Sequence, residues 1–164
     1  MLVTTEKGGE RNIEFKVKST SKGALRMIIQ LKDTETKIAS PGAVFELLKS
    51  LLNAEDEVDR DREHFWVFQL DTRNCIKVLE LVSLGTLNAS VVHPREVFCR
   101  AISNRANSIL IAHNHPSGDP TPSHEDILIT KQLREAGELL EISLLDHVIV
   151  ARDGYTSFKE QGLF

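Results

Sequence analysis

Along residues 12 to 18 polar and apolar side chains alternate, with Ile13, Phe15 and Val17 set between Asn12, Glu14, Lys16 and Lys18, and this period of two predicts a half-buried strand. Residues 25 to 32 predict a second strand. At Ser40-Pro41 the pattern changes to that of a helix. Serine is a good N-cap and proline suits the first helical position. Val44, Phe45, Leu48, Leu51 and Leu52 then form an apolar stripe. Residues 54 to 62 are a charged run, read as a solvated connector. A strand at 63–70, turn-forming residues at 71–74 and a return strand at 75–81 predict a hairpin. A short strand at 90–92 and a helix from Pro94 to about Asn104 follow. The remainder predicts a strand at 108–112, a helix at 123–139, a strand at 143–150 and a short strand at 155–158. The mixture predicts an α/β or α+β sandwich with a curved central sheet and flanking helices. Residues 1–40 are expected to form an N-terminal extension, partly strand, ahead of one domain at 41–164.

Composition agrees with a single globular unit. At 164 residues the chain can bury a sizeable core, and its 41% hydrophobic and 27% charged residues are ordinary. There is no apolar run of 18 or more residues and no signal-peptide core near Met1, so a cytoplasmic protein without a membrane span is expected. Cys75 and Cys99 lie in apolar stretches and form no C-x-x-C pair, so both are expected to be small buried residues. The net charge of −4 argues against a nucleic-acid partner for this chain alone, because such binding draws on basic residues against phosphates.

The candidate chemistry sits at residues 113 to 126, which read His-Asn-His-Pro-Ser-Gly-Asp-Pro-Thr-Pro-Ser-His-Glu-Asp. His113 and His115 leave the apolar 108–112 strand two residues apart, so both imidazoles point to one face. Asp126 comes eleven residues after His115, beyond a loop with three prolines and one glycine that can fold back toward the same point. Two imidazoles and one carboxylate, with a fourth position left for water, suit a catalytic Zn²⁺. Ser123 and Asp126 also satisfy a helix capping box, and the two readings are compatible. The tripeptide His-Asn-His is too compact for the nucleases of that name. No second histidine stands at the H-E-x-x-H spacing, and no P-C-x-x-C follows to make a zinc deaminase.

The full spacing is H-x-H, seven residues, Ser123, two residues, Asp126. It resembles the JAMM motif of the JAB/MPN metalloproteases. The wording of 113–123, with 85–98 and Leu144-Leu145-Asp146-His147-Val148-Ile149-Val150, is similar to the RadC branch in particular, and the likeness covers about residues 63 to 162. It implies a cytidine-deaminase-like architecture and a zinc-dependent hydrolase acting on a peptide or isopeptide-type substrate. His113, His115 and Asp126 would be the metal ligands. The pattern also supplies a catalytic glutamate from an early strand, and Glu63, in Arg62-Glu63-His64-Phe65, is the matching position. Sequence alone also allows Glu57 or Glu80, of which the first lies in the charged run and the second is expected to face solvent. Ser123 can donate to the oxyanion as well as cap the helix. The alternative is a non-catalytic RadC-like scaffold or DNA-repair accessory that keeps a structural metal. The helix-hairpin-helix region common ahead of this domain in RadC-like proteins has no counterpart in residues 1 to 62.

Weaker expectations attach to other polar residues. His147 is read as a hydrogen-bonded core histidine, with second-shell support of the metal by Asp146 or His147 as the other option. His93 marks a helix start, His64 and His124 are expected at the surface, Asn114 and Ser117 are candidates for substrate contact, and Asp119 is a turn residue.

Overall fold

The computed structural model describes residues 15–19, 27–31, 37–54, 60–85 and 92–164. Seven strands form one mixed sheet in the order β1-β2-β4-β3-β5-β6-β7. They are β1 (Phe15–Ser19), β2 (Met27–Leu31), β3 (Glu63–Leu70), β4 (Ile76–Gly85), β5 (Ser108–Asn114), β6 (Ser143–Val150) and β7 (Tyr155–Ser157). Every neighbouring pair is antiparallel except β5 and β6, which run parallel and are joined through a helix. The helices fully within the described residues are α1 (Pro41–Asn53), α2 (Pro94–Ser103) and α3 (His124–Leu139). The sandwich expected from the patterning is therefore present.

The alternation along the central strands explains the layers. Trp66, Phe68 and Leu70 of β3 join Leu110 and Ala112 of β5 in a core closed by Val44 and Leu48 of α1. Phe65, Val67, Ile109 and Ile111 point the other way, into a second core with Val97, Phe98 and Ala101 of α2 and Ile129 and Leu133 of α3. Both faces of β3 and β5 are thus covered, which is why their sequences read as nearly continuous apolar runs.

Several expectations change for that reason. Glu80 does lie opposite Leu79 and Leu81, but its face is roofed by α2 and it is fully buried. It pairs with Arg100 of α2 at 2.9 Å and accepts from Gln69 at 3.3 Å, so it is a paired core carboxylate and not a solvent-facing one. His64 is buried as well, stacked on Trp66 at 5.0 Å between ring centroids, because β3 is an interior strand. Cys75 is buried, but Cys99 is exposed: Val97, Phe98 and Ala101 take the inward stripe of α2 and leave Cys99 off it. His124 is exposed at the start of α3. His93 occupies the N-cap position of α2 without a side-chain capping bond. β4 runs four residues beyond the expected end, and its last pair, Glu63↔Gly85, anchors the first residue of β3. Ser90, Val91 and Glu57 lie outside the described residues, and Val92 is buried but not in a strand. Among the described residues no helix is long and apolar enough to cross a membrane.

Candidate metal centre

The site forms where β5 ends beside the start of α3. His113 is the sixth residue of β5 and faces the α3 side, in register with Phe65 of β3. The chain then turns: Gly118 donates its N–H to the His115 carbonyl at 3.1 Å and has φ +91°, a conformation that favours glycine. The turn brings the Asp119 carbonyl to His115 Nδ1 at 2.8 Å. Asp119 itself is a turn residue, its Oδ1 accepting from Thr121 N at 2.9 Å and Thr121 Oγ1 at 2.6 Å. Ser117 is exposed in the same turn, where its Oγ accepts from Asp119 N at 3.4 Å.

Ser123 then caps α3. Its Oγ accepts from Asp126 N at 3.1 Å, and Asp126 Oδ2 accepts from Ser123 N at 2.8 Å. This capping box fixes the carboxylate at the positive end of the helix dipole and aims it at the two imidazoles.

The three candidate ligands converge. Their donor atoms lie within 4.8 Å of one another. His113 Nε2 is 3.0 Å from His115 Nε2 and 3.1 Å from Asp126 Oδ1, and His115 Nε2 is 3.5 Å from Asp126 Oδ2. Zinc–ligand bonds of about 2.0–2.1 Å give tetrahedral edges of about 3.3 Å, and these separations bracket that value.

The donor set also fits a cation. The Asp119 carbonyl can only accept, so His115 carries its proton on Nδ1 when neutral, and its Nε2 lone pair turns inward. Burial acts to raise the carboxyl of Asp126, but hydrogen bonding shared with His113 and His115, the charge of His113 when protonated, and the bond from Ser123 outweigh it and hold the group well below the usual carboxylate range. The hydrogen bond with Asp126 raises His115 above its ordinary value against the opposing effect of burial, helped by the Asp119 carbonyl and the charges of Asp126 and Glu63. A carboxylate and two inward nitrogens held this close call for a proton or a metal ion between them.

Comparison with known proteins gives the family. The family model described as a RadC-like JAB domain matches residues 38–163. The chain belongs to the RadC-like JAB domain family. The UPF0758 protein of Desulforamulus reducens is 55% identical over 109 residues, covering 66% of this chain and 48% of that protein. The UPF0758 protein of Caldanaerobacter subterraneus is 43% identical over 149 residues, 91% of this chain and 62% of that protein. That of Methanosarcina mazei is 43% identical over 139 residues, 85% of this chain and 58% of that protein. The chain spans about half the length of the curated relatives it matches, and their names state no activity. The strands β1 and β2 precede the matched RadC-like JAB segment and extend its sheet through β4.

Other polar residues of the RadC-like JAB domain lie around the candidate ligands. Glu63 is half-buried at the start of β3. The β3–β5 ladder ends at Phe65↔His113, and Glu63, two residues before Phe65, is near enough for its charge to act on His115. Asn114 is buried, with its amide clamping the same strand start: it accepts from His64 N at 2.7 Å and donates to the Arg62 carbonyl at 3.0 Å. Its polar atoms hold the Glu63 segment, and the residue also lines the cleft beside His115. Ser123 Oγ donates its one proton to Asp126 Oδ2 at 2.7 Å.

His147 is fully buried, packed on Phe158 at 4.6 Å, and its Nε2 is 2.8 Å from His113 Nδ1. It is a core histidine and also a direct neighbour of a candidate ligand. A bulge puts it there, since Ile109↔Leu144 and Ile111↔His147 set two residues of β5 against three of β6. Asp146 lies within the bulge. It accepts from His147 N at 2.8 Å, Ser157 Oγ at 2.5 Å and Lys159 N at 3.0 Å, so its work is to tie β6 to β7. Thr130 escapes the sequence reading altogether. Its one signal is a polar residue four positions after Asp126, between Ile129 and Leu133 on the buried face of α3.

Proposed function

We propose that this chain is a zinc-dependent hydrolase that cleaves a peptide, isopeptide or related amide bond. The observation that carries the reading is the convergence of His113 Nε2, His115 Nε2 and the Asp126 carboxylate on one point. Three protein donors leave a fourth tetrahedral position open, as catalytic zinc sites do, whereas structural sites use four. A bound zinc ion would supply a Lewis acid there and bring the pKa of a water to about 7. Glu63 is the base of this reading. Its charge acts on His115, and its carboxylate takes a proton from the attacking water and passes it to the leaving amine. Ser123 donates to the developing oxyanion once its hydroxyl leaves Asp126 Oδ2, a contribution of about 100- to 1000-fold in rate for a donor of this kind. A cleft of about 450 Å³ opens beside His115, lined by Lys49, Leu52, Asp61, Val150 and Arg152 among others, and offers the substrate a way in.

The test is turnover on peptide and isopeptide libraries with the protein as purified, after chelation, and after zinc is restored. Cleavage that disappears with the metal and returns with it is the expected result. Zinc-loaded protein that cleaves nothing in either library, and loses its fold on chelation, would favour the scaffold with a structural metal.

We further propose that nucleic acid is not a partner of this chain alone, on the ground of its net charge of −4. Fluorescence anisotropy against duplex and single-stranded DNA at 50 and 200 mM salt is expected to show weak binding at both. Sub-micromolar affinity falling about 1000-fold across that range, the signature of many phosphate contacts, would reject it.

A further inference from the structure

We propose that Thr130 is a positioning residue that sets the tautomer of His113 through His147, and so aims the His113 Nε2 lone pair at the metal position. The proposal rests on the metal-centre reading and extends it to residues outside the ligand set.

The assignment follows from counting protons. Thr130 Oγ1 lies 2.5 Å from the backbone carbonyl of Asp126 and 2.6 Å from His147 Nδ1. Both contacts are too short to lack a hydrogen. A carbonyl can only accept, so the single hydroxyl proton goes to Asp126 O. Thr130 must then accept from His147, which places the His147 proton on Nδ1. His147 is fully buried, where a charged imidazole is costly, so the ring is neutral and its Nε2 carries a lone pair. That lone pair lies 2.8 Å from His113 Nδ1 and accepts its proton. A neutral His113 protonated on Nδ1 leaves Nε2 bare, facing His115 and Asp126.

A threonine bonding back to the carbonyl four residues earlier is common in helices and by itself signals nothing. The second bond, to a fully buried histidine that touches a ligand, is what distinguishes Thr130. The relay also closes on itself, because the carbonyl at its far end belongs to Asp126, the third ligand. Helix α3 thus fixes the carboxylate directly and the His113 proton at one remove. Without the hydroxyl, His147 is free to carry its proton on Nε2. Two N–H groups would then meet at 2.8 Å, and His113 would escape by moving its own proton to Nε2, where it blocks the metal.

The experiment compares wild type, Thr130→Val and Thr130→Ser in the full chain. Valine keeps the shape and the buried volume and removes both hydrogen bonds, while serine restores them. Nitrogen-15 NMR of the zinc-free proteins reads the tautomers of His113 and His147, and competition with a chromophoric chelator reads zinc affinity. In wild type and Thr130→Ser both rings are expected to be protonated on Nδ1. In Thr130→Val the His113 proton is expected to populate Nε2, with zinc binding weakened about 10- to 100-fold, the usual effect of losing an outer partner of a metal-bound histidine. A wild-type His147 protonated on Nε2, or a Thr130→Val protein with unchanged His113 tautomer and unchanged zinc affinity, overturns the relay. Wild type that binds no zinc would instead sink the metal reading, and the tautomer comparison would still decide the role of Thr130.

Discussion

Replacing Glu63 with glutamine is expected to leave zinc bound and to lower turnover by about 100- to 10,000-fold, the usual share of general acid–base catalysis. The substitution is close to isosteric and removes the ability to accept a proton. Glu63 is not among the three converging donors, so metal content has no reason to change. Its place in the strand survives as well, because the pairing of Glu63 with Gly85 is a backbone matter. The readout is turnover at saturating substrate beside zinc per chain. Turnover close to wild type on a substrate the protein cleaves would remove Glu63 from the mechanism. Loss of zinc together with turnover would recast it as a ligand.

The candidate ligand set is legible in the sequence because each part of it is local. His113 and His115 follow from period two in a strand, and Asp126 from a capping box whose spacing does not depend on the rest of the fold. The strands and helices of the second half are legible for the same reason, since β5, α3 and β6 carry unbroken apolar patterns between clear caps and turns.

What is not legible depends on which surface covers a face. Alternation correctly sets Glu80 against its apolar neighbours, yet no local signal shows that α2 lies over it with Arg100 in place. The burial of His64 has the same cause, because nothing near residue 64 announces that β3 sits between β4 and β5. The role of His147 needs a third kind of information. Regular alternation sets Asp146 and His147 on opposite faces, and a bulge of one residue returns His147 to the side of α3 already occupied by Leu144. Bulges leave little trace in a single sequence. Thr130 is harder still, since its partner His147 is 17 residues away and meets it only after β6 has docked.

The purified chain is expected to hold close to one zinc ion, and His113→Ala or Asp126→Asn to lose most of it. The two substitutions probe different protons. Alanine at 113 deletes one nitrogen donor and leaves His147 Nε2 without the partner it has at 2.8 Å. Asparagine at 126 keeps an oxygen able to accept from Ser123 N and so preserves the cap of α3, but it removes the negative charge that faces both imidazoles. Each should weaken zinc by more than the roughly 10- to 100-fold typical of an outer partner, because the bond lost is to the metal itself. Acidification should act in the same direction. The proton and the metal compete for the same Nε2, and the Asp126 bond raises His115 above 6.5 in the metal-free chain, so affinity is full at higher pH and falls as pH drops through that raised value. Zinc per chain after dialysis, with chelator competition between pH 5.5 and 8, reads all three effects. Full occupancy in a His113→Ala, His115→Ala double variant would mean that the metal is held elsewhere in the chain.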